Sequence, residues 1–173
     1  MELGETKMHK EMTFEFQAMG VIHTPHDKCE GTPIQPVYAQ EHVGTVALFT
    51  KYADGIQDLD GFDRIWLVYF LHCAPPGKMR VVPFRDNREH GIFATRSPCR
   101  PNPIGLSCVR LLGIEGQTLR VSGVDMLEGT PLLDIKPYVP EFDSYPDAMA
   151  GWFDQLRVNR THADSRFNTE KSK

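Results

Sequence analysis

The chain has 173 residues, 40% of them apolar and 24% charged, with a formal net charge of −4. This length suits one domain and this apolar fraction can form a hydrophobic core, which excludes a disordered or fibrous chain. No apolar stretch is long enough to span a bilayer, and the N-terminus lacks the apolar segment of a secretion signal. We therefore expect a soluble, cytoplasmic protein without a membrane partner. The four cysteines form no C-x-x-C pair, which favours free thiols over a disulfide framework.

Short apolar runs separated by proline- and glycine-rich loops predict β-strands along most of the chain. These runs span residues 12–22, 43–50, 64–72, 79–84, 106–114 and 119–124. Residues 64–72 are apolar on both faces, which is typical of a central strand buried on two sides. Glu115-Gly116-Gln117 separates the last two runs and predicts a hairpin. Six or seven short strands with very little helix indicate a mainly β fold, either a barrel or a sandwich.

Two long loops interrupt this pattern of strands. Residues 23–36 and 125–140 each contain several prolines, and loops of such length are usually either functional or disordered. Helix is expected only as a turn or short helix over 52–59 and as a short helix within 145–156. The long loops are therefore the regions in which functional residues are expected.

The chain divides into three parts on these grounds. Residues 1–11 are polar and are expected to form a flexible N-terminal segment. Residues 12–143 contain all the predicted strands and form the β-domain. Residues 144–173 form a short C-terminal extension with at most one helix, and its polar end, from residue 160 onwards, is expected to be loose.

A stiff connector that carries two arginines lies in the middle of the chain. Residues 91–105 read Gly-Ile-Phe-Ala-Thr-Arg-Ser-Pro-Cys-Arg-Pro-Asn-Pro-Ile-Gly. The three prolines fix the backbone φ angle, so this proline-rich stretch is neither helix nor central strand. A guanidinium on a stiff backbone loses less entropy on binding a carboxylate, a phosphate or a nucleobase, so Arg96 and Arg100 are candidate ligand contacts. The alternative is a plain crossover whose arginines pair with surface acids.

Positive charge is concentrated in one window of the sequence. Residues 78–110 contain seven lysines and arginines and two acidic residues, a net charge of +5, so the remainder of the chain carries −9. A local basic surface on an acidic body suits a protein that touches phosphate at one place only. A solvated loop of mixed charge is the alternative explanation.

Other kinds of site find weaker support in the residues. His23, His26 and Cys29 recur every three residues, but this spacing converges ligands only on a helix, which the nearby prolines disfavour, so no metal is expected. Cys99 and His90 are a candidate nucleophile pair, although a buried inert thiol is the commoner case. The chain contains no G-x-G-x-x-G, P-loop or G-x-S-x-G sequence.

Four sequence blocks resemble those of the TsaA-like (TrmO) family in order and spacing. The blocks are Met19-Gly-Val-Ile-His-Thr-Pro25, Phe62-Asp-Arg-Ile-Trp-Leu67, the connector 91–105 and Asp125-Met-Leu-Glu-Gly-Thr-Pro-Leu-Leu-Asp-Ile-Lys-Pro-Tyr138. The resemblance covers roughly residues 14–142, and chance is a poor explanation for a run such as A-T-R-S-x-x-R-P-N-P-I-G. It implies a single β-barrel that binds S-adenosylmethionine without a Rossmann fold and works as a homodimer. It also implies methylation of N6 of threonylcarbamoyladenosine beside the anticodon of tRNA.

The same resemblance implies a set of site residues. The implied cofactor contacts are Pro33, Ile34, Gln35, His72, Cys73, Arg96, Leu106, Ser122, Gly123, Val124 and Asp125. Leu106 can form an apolar wall beside the adenine of S-adenosylmethionine. Asp125 can accept hydrogen bonds from the ammonium group or the ribose hydroxyls of the cofactor, and Arg96 can donate to its carboxylate. Phosphate contacts are predicted for Arg80, Arg85, Arg88 and Arg100.

The predicted activity is S-adenosylmethionine-dependent methylation of a modified adenosine in tRNA. Methyl transfer is an in-line displacement by the substrate nitrogen, so positioning supplies much of the rate. The nitrogen also loses a proton, and His72, Asp134 and Tyr138 are alternative candidates for the base. Two other functions stay open: a non-catalytic S-adenosylmethionine sensor or partner of an RNA enzyme, and a thiol hydrolase that uses Cys99.

Overall fold

A computed structural model describes residues 12–155 and 158–168, so the predicted flexible segment 1–11 lies outside the described residues. The strands are β1 (Gly20–His23), β2 (Val43–Leu48), β3 (Arg64–Phe70), β4 (Arg80–Val81), β5 (His90–Gly91), β6 (Ile104–Glu115), β7 (Thr118–Ser122) and β8 (Thr130–Pro137). An antiparallel barrel closes in the order β1, β2, β7, β6, β3, β8, and β8 returns to β1. β4 and β5 form a separate two-stranded sheet. The predicted mainly β fold is confirmed, and it is the barrel that the family resemblance implies.

Helix is limited to short pieces. The α-helix α1 spans Pro140–Asp143. The 3-10 helices are Pro36–Tyr38, Thr50–Ile56, Ile92–Ala94, Gly151–Gln155 and Ser165–Phe167. Two of them overlap the regions in which short helices were predicted, 52–59 and 145–156. Within the described ranges, none of the helices has the length and apolar character needed to cross a membrane.

Alternate residues of each strand point into the barrel, and most of these inward-facing residues are apolar. In β3, Ile65, Leu67 and Tyr69 are buried and alternate with the half-buried Trp66 and Val68. The other barrel strands contribute the fully buried side chains Ile22, Val46, Val109, Leu119, Val121 and Leu132. Burial of one such side chain is worth roughly 1.5–3 kcal/mol, so this cluster is the main source of the stability of the barrel.

β1 is shorter than the predicted first strand. It begins at Gly20, and its partner β2 ends at Leu48, the residue that pairs with Gly20. Residues 12–19 belong to no strand, although the Met19 N–H still donates to Leu132 O of β8 at 2.8 Å, and Phe14 and Phe16 are 70% and 71% exposed. The alternation of apolar and polar residues misled the prediction, because such alternation does not reveal whether a segment packs against the barrel.

β8 lies within the segment 125–140, for which a proline-stiffened loop was predicted. Pro131 and Pro137 belong to this strand, but both lie near its ends, so its central residues keep their backbone donors. β8 pairs with β1 on one side and with β3 on the other. The prolines thus concealed the strand that closes the barrel.

The predicted hairpin is present between β6 and β7. Glu115 pairs with Thr118 across the turn Gly116-Gln117. The φ angle of Gly116 is +58°, a left-handed conformation that glycine adopts without strain. β6 pairs with β3 through residues 104–110 and with β7 through residues 110–115, so its two halves join different neighbours in the barrel.

A second, smaller core lies under β4 and β5. A full strand was predicted over 79–84, but only two of these residues pair, as β4. The buried members of this core are Val81, Ile92, Cys99 and Phe167, with Phe84 packed against them. The rings of Phe84 and Phe167 meet edge to face, with centroids 5.0 Å apart. We refer to this core and its two-stranded sheet as the flap.

The C-terminal segment 158–168 is packed where a loose tail was predicted. Its backbone forms hydrogen bonds with the loop 31–34, and Ala163 N–H donates to Thr32 O at 2.8 Å. Phe167 is 8% exposed because it enters the core of the flap. The prediction was wrong for this segment, since its polar composition concealed one well-buried aromatic residue.

Gly105 of β6 packs against the ring of Tyr69 on β3, which generates a prediction. A Cβ atom at Gly105 would lie 2.1 Å from Tyr69 Cε2, so the buried ring would have to move. We expect Gly105→Ala to lower the free energy of unfolding by about 1–3 kcal/mol, measured by chemical denaturation. Gly113→Ala is the matched control on the same strand, because nothing lies within 4 Å of its added Cβ. An equal loss in both variants would show that contact with Tyr69 is not the cause.

Candidate active site

An open cleft of about 1170 Å³ lies against one end of the barrel. The barrel contributes the end at which β3 stops and β6 starts, together with Arg64, Trp66 and Cys108 farther along these two strands. The loop 29–40 forms a second wall, and the segment 83–100 forms a third together with Trp152 and Phe153 from the C-terminal region. The cleft therefore lies where the barrel and the flap meet.

Most of the predicted cofactor contacts come together in this cleft. The residues that line it are Pro33, Ile34, Gln35, His72, Cys73, Arg96, Leu106 and Asp125. Ser122, Gly123 and Val124 are not part of the lining, and they precede Asp125 in the chain. Residues far apart in the sequence thus meet around one space that is large enough for a nucleoside-sized ligand.

Asp125 is held at the cleft by a chain of buried hydroxyl groups. Ser107 Oγ donates to Asp125 Oδ1 at 2.6 Å, and Tyr69 OH lies 2.9 Å from Ser107 Oγ. Because the single hydroxyl proton of Ser107 goes to the carboxyl group, Tyr69 donates to Ser107. Tyr69 and Ser107 are 5% and 1% exposed. Two barrel strands, β3 and β6, thereby fix the orientation of the carboxyl group.

Burial raises the pKa of Asp125 to about 7, although the hydrogen bond from Ser107 and the charge of Arg96 act in the opposite direction. Burial and the neighbouring carboxylate also raise the pKa of Tyr69, so the phenol stays protonated and keeps its role as donor. Asp125 therefore changes between its neutral and charged forms near neutral pH. A cation bound beside it would favour the charged form.

The turn before Asp125 is anchored from behind by two histidines. The φ angle of Gly123 is +90°, and its N–H donates to His42 O at 3.0 Å. His26 Nε2 lies 3.1 Å from Val124 O and 3.1 Å from His42 Nδ1. Burial lowers the pKa of His26, so its neutral ring, protonated on Nε2, donates to the Val124 carbonyl.

Arg96 reaches from the connector to Gln35 at the cleft. Its Nη1 donates to Gln35 Oε1 at 2.6 Å, and the side chain is exposed, so its other donors can reach a ligand. Arg100 holds the connector in shape, because its Nη1 donates to Thr95 O at 2.8 Å and to Ile92 O at 3.3 Å. Hydrogen bonding thus adds to the stiffness that the prolines predict.

The arginines predicted to contact phosphate differ in exposure. Arg80 and Arg88 are exposed and do not line the cleft, and Arg80 pairs with Glu89 at 3.4 Å. Arg85 and Arg100 lie in the cleft wall. Arg85 is 8% exposed, which does not fit the alternative explanation of a solvated loop. These arginines therefore do not form one continuous surface patch.

His72 is the candidate base that lines the cleft. Its Nδ1 lies 3.4 Å from the Thr130 hydroxyl oxygen. Asp134 lines a separate cavity of about 390 Å³ and pairs with Lys136 at 2.8 Å. Tyr138 packs against a tryptophan on the outside of β3, with ring centroids 5.9 Å apart, and does not line the cleft. Only one of these side chains can therefore meet a ligand in the cleft without a rearrangement.

Cys99 has the surroundings of a structural thiol. It is 1% exposed, and burial raises its pKa, which is the opposite of what an activated nucleophile requires. His90, its hypothetical partner, instead lies 2.9 Å from Asp86 through Nε2 and Oδ2. The thiol-hydrolase hypothesis thus finds no support.

The part of the chain that is described contains no group of three His, Cys, Asp or Glu side chains that could hold a metal ion.

Several residues that line the cleft or support its lining were not found by sequence reasoning. Ser107 had a detectable signal, because it is a polar residue at an inward-facing position of an apolar strand. Tyr38, Trp152 and Phe153 come from irregular segments without periodicity, and nothing in their local sequence distinguishes them from surface aromatic residues. Their position depends on how the C-terminal segment packs.

Residues 21–144 match the family model of the tRNA-methyltransferase O N-terminal domain. The chain belongs to this family. A "Probable S-adenosyl-L-methionine-binding protein" of Pyrococcus abyssi is 42% identical over 154 residues, which cover 88% of this chain and 84% of that protein. A tRNA (adenine(37)-N6)-methyltransferase of Escherichia coli is 37% identical over 150 residues, which cover 81% of this chain and 64% of the enzyme.

Solved structures of this family agree with the fold. The crystal structure of TrmO from Pseudomonas aeruginosa is 37% identical and superposes with a TM-score of 0.69, covering 81% of this chain and 62% of that chain. The chain thus spans less than two thirds of this TrmO and of the Escherichia coli enzyme, but most of the Pyrococcus abyssi protein. The resemblance seen in the sequence is confirmed for family and fold.

The raised pKa of Asp125 predicts a specific dependence of stability on pH. The unfolded chain loses this proton near the ordinary pKa of 3.8, whereas the native protein keeps it up to about pH 7. The contribution of Asp125 to the free energy of unfolding should therefore fall as pH rises through this interval, by on the order of 4 kcal/mol in total. Asp125→Asn should remove it.

Urea denaturation of both proteins at a series of pH values measures this effect. The difference in the free energy of unfolding between Asp125→Asn and the unmodified protein should grow with rising pH. Parallel pH profiles for the two proteins would show that Asp125 is not the titrating group.

Proposed function

We propose that this protein transfers a methyl group from S-adenosylmethionine to N6 of threonylcarbamoyladenosine next to the anticodon of tRNA. The observation that carries the proposal is the cleft in which Arg96, Leu106 and Asp125 meet at the barrel end. The names of the relatives support it, since one is a "Probable S-adenosyl-L-methionine-binding protein" and another a tRNA (adenine(37)-N6)-methyltransferase.

The cleft residues fit S-adenosylmethionine in polarity and charge. Leu106 is 52% exposed and offers an apolar wall to the adenine. Asp125 forms no ion pair with the described residues, so it can take the cofactor ammonium or ribose hydroxyls. Arg96 donates to the cofactor carboxylate, and backbone groups of 33–35 read the adenine edge, since residues 122–124 do not line the cleft.

The cofactor supplies a methyl group on a positively charged sulfur when it is bound. The residues of the chain orient the attacking nitrogen and receive its proton. We assign the proton acceptor to His72, because its side chain lines the cleft and those of Asp134 and Tyr138 do not. The Thr130 hydroxyl, 3.4 Å from His72 Nδ1, orients the ring and leaves Nε2 for the substrate.

The tRNA backbone follows the exposed arginines outside the cleft. Arg80 and Arg88 extend the positive charge of the cleft along the flap. Each phosphate that they neutralise releases counterions, which favours binding. Arg100 acts differently, since its guanidinium holds the connector that presents Arg96. Because the proposed substrate is tRNA, we place the protein in the cytoplasm.

We infer a homodimer from an apolar surface on the outside of the barrel. Phe70, Ile104 and Leu106, from β3 and β6, are 41%, 39% and 52% exposed. Ile104 pairs with Phe70, so these side chains lie side by side. Adjacent exposed apolar side chains favour burial against a second copy, and two-fold symmetry would bury the same surface on both copies. Ile104 and Leu106 also line the cleft, so the second copy would border the cofactor site.

Methyl transfer to RNA is the direct test of the proposed function. The purified chain is incubated with methyl-labelled S-adenosylmethionine and tRNA that carries threonylcarbamoyladenosine, and nucleosides are identified by mass spectrometry. We expect label on N6 of this nucleoside, and Arg96→Ala should weaken cofactor binding by about tenfold. Binding without transfer would favour the non-catalytic sensor. A protein that binds neither the cofactor nor its demethylated product would overturn the proposal.

His72→Gln tests the assignment of the proton acceptor. Loss of the base should lower kcat by about 10²–10⁴. Because His72 is also a predicted cofactor contact, kcat is measured at saturating cofactor, where weaker binding does not lower it. Asp134→Asn and Tyr138→Phe are measured alongside, because they remove the other two candidate bases. A larger loss of kcat in either of these variants would refute the assignment to His72.

A further inference from the structure

Arg85 is a buried cation that the proposed reaction does not use. It is 8% exposed and lies in the cleft wall. Its Nη1 donates to the Tyr38 hydroxyl, and its Nη2 donates to Asn159 Oδ1 at 3.2 Å. The rings of Tyr38 and Phe153 pack against the guanidinium, with centroids 5.6 and 5.4 Å from Cζ. All these partners are neutral.

Within the described residues, no counter-charge accompanies this guanidinium. Among residues 12–155 and 158–168, no carboxylate lies within ion-pair distance of Arg85. Its Nε is shielded from solvent and has no acceptor in the same part of the chain. The next residue, Asp86, is bonded to His90. A desolvated cation without an anion is costly, and its place in a cleft wall indicates that a ligand supplies the anion.

The charge of the whole cleft agrees with an anionic ligand. Its lining includes Arg64, Arg85, Arg96 and Arg100, and Asp125 is the one acidic residue in that lining as far as the chain is described. A single carboxyl cancels at most one of the four positive charges, and with a pKa of about 7 Asp125 is partly neutral near neutral pH. A protein with a net charge of −4 therefore carries a positively charged cleft.

We propose that Arg85, Tyr38 and Asn159 form an oxyanion-binding subsite for a carboxylate or phosphate group of the RNA substrate. The inference rests on the proposed function, whose substrate carries both groups: backbone phosphates and the carboxylate of the threonylcarbamoyl substituent. A guanidinium presents paired N–H donors that match either group. The ring of Trp152 meets that of Phe153 in the same wall, so a nucleobase can stack beside the bound anion.

A charge introduced at position 159 tests the subsite. Asn159→Asp puts a carboxylate where the amide oxygen now lies, 3.2 Å from Arg85 Nη2, so it should pair with the guanidinium and compete with the ligand. We expect the midpoint of thermal unfolding to rise and the affinity for ligand to fall about tenfold or more. Asn168→Asp, an exposed position on the same segment, is the matched control and should change neither. Higher thermal stability with unchanged affinity would assign Arg85 a purely structural role and overturn the proposal.

Two probes separate the possible sources of the oxyanion. The free nucleoside N6-threonylcarbamoyladenosine carries a carboxylate and no phosphate, whereas an anticodon stem-loop with unmodified adenosine carries phosphates and no such carboxylate. Calorimetry measures the affinity of Asn159→Asp for each probe. Loss of affinity for the nucleoside identifies the carboxylate as the ligand, and loss of affinity for the stem-loop identifies a phosphate. Arg85→Lys keeps the charge and should retain more affinity than Arg85→Gln, with folding checked by circular dichroism. Unchanged affinity for both probes in every variant would refute the subsite.

The result for the subsite is separable from the result for methyl transfer. If the unmodified protein methylates tRNA and Asn159→Asp binds both probes normally, the subsite fails and the function stands. If no methyl transfer occurs but Asn159→Asp still loses affinity for the nucleoside, the subsite stands and the proposed reaction fails.

Discussion

Closure of the barrel by β8 is the constraint on which the cleft depends. β8 pairs with β1 and β3 at the same time, so the chain that leads into it, residues 123–129, crosses the end of the barrel. This crossing brings Asp125 to within one hydrogen bond of Ser107 on β6. The carboxyl group is thus oriented by strand pairing, and the histidines behind its turn hold the backbone in place.

Local signals in the sequence predicted the local parts of the fold. The double-sided apolar run 64–72 became β3, and the turn residues at 115–117 became the β6–β7 hairpin. The prediction for the N-terminal run was wrong because the residues before β1 do not pair with the barrel strands, and β8 was missed because Pro131 and Pro137 masked a strand stabilised by two neighbours. Both errors concern pairing between distant segments, which local composition does not encode.

The residues of the candidate site also divide into those that local sequence predicts and those that depend on contacts between distant segments. Sequence blocks located Arg96 and Asp125, but not the buried hydroxyls that orient the carboxyl, since Ser107 meets Asp125 only after the barrel closes. The C-terminal segment was predicted to be loose from its polar residues, yet Phe167 enters the core of the flap. Because this one aromatic residue anchors the segment, Asn159 reaches the cleft wall at a point where no sequence pattern predicted a functional residue.

The two cores on either side of the cleft differ in size. Counted over the described residues, the barrel core has 13 buried residues and the core of the flap has four. Local opening costs less free energy where fewer apolar contacts must separate, so hydrogen exchange should be faster in the flap than in the barrel. The wall that carries Asp125 is consequently rigid, and the wall that carries Arg85 is the more adaptable one. A small cofactor would then meet a preformed surface, while a large polynucleotide would meet a surface that can adjust to its shape.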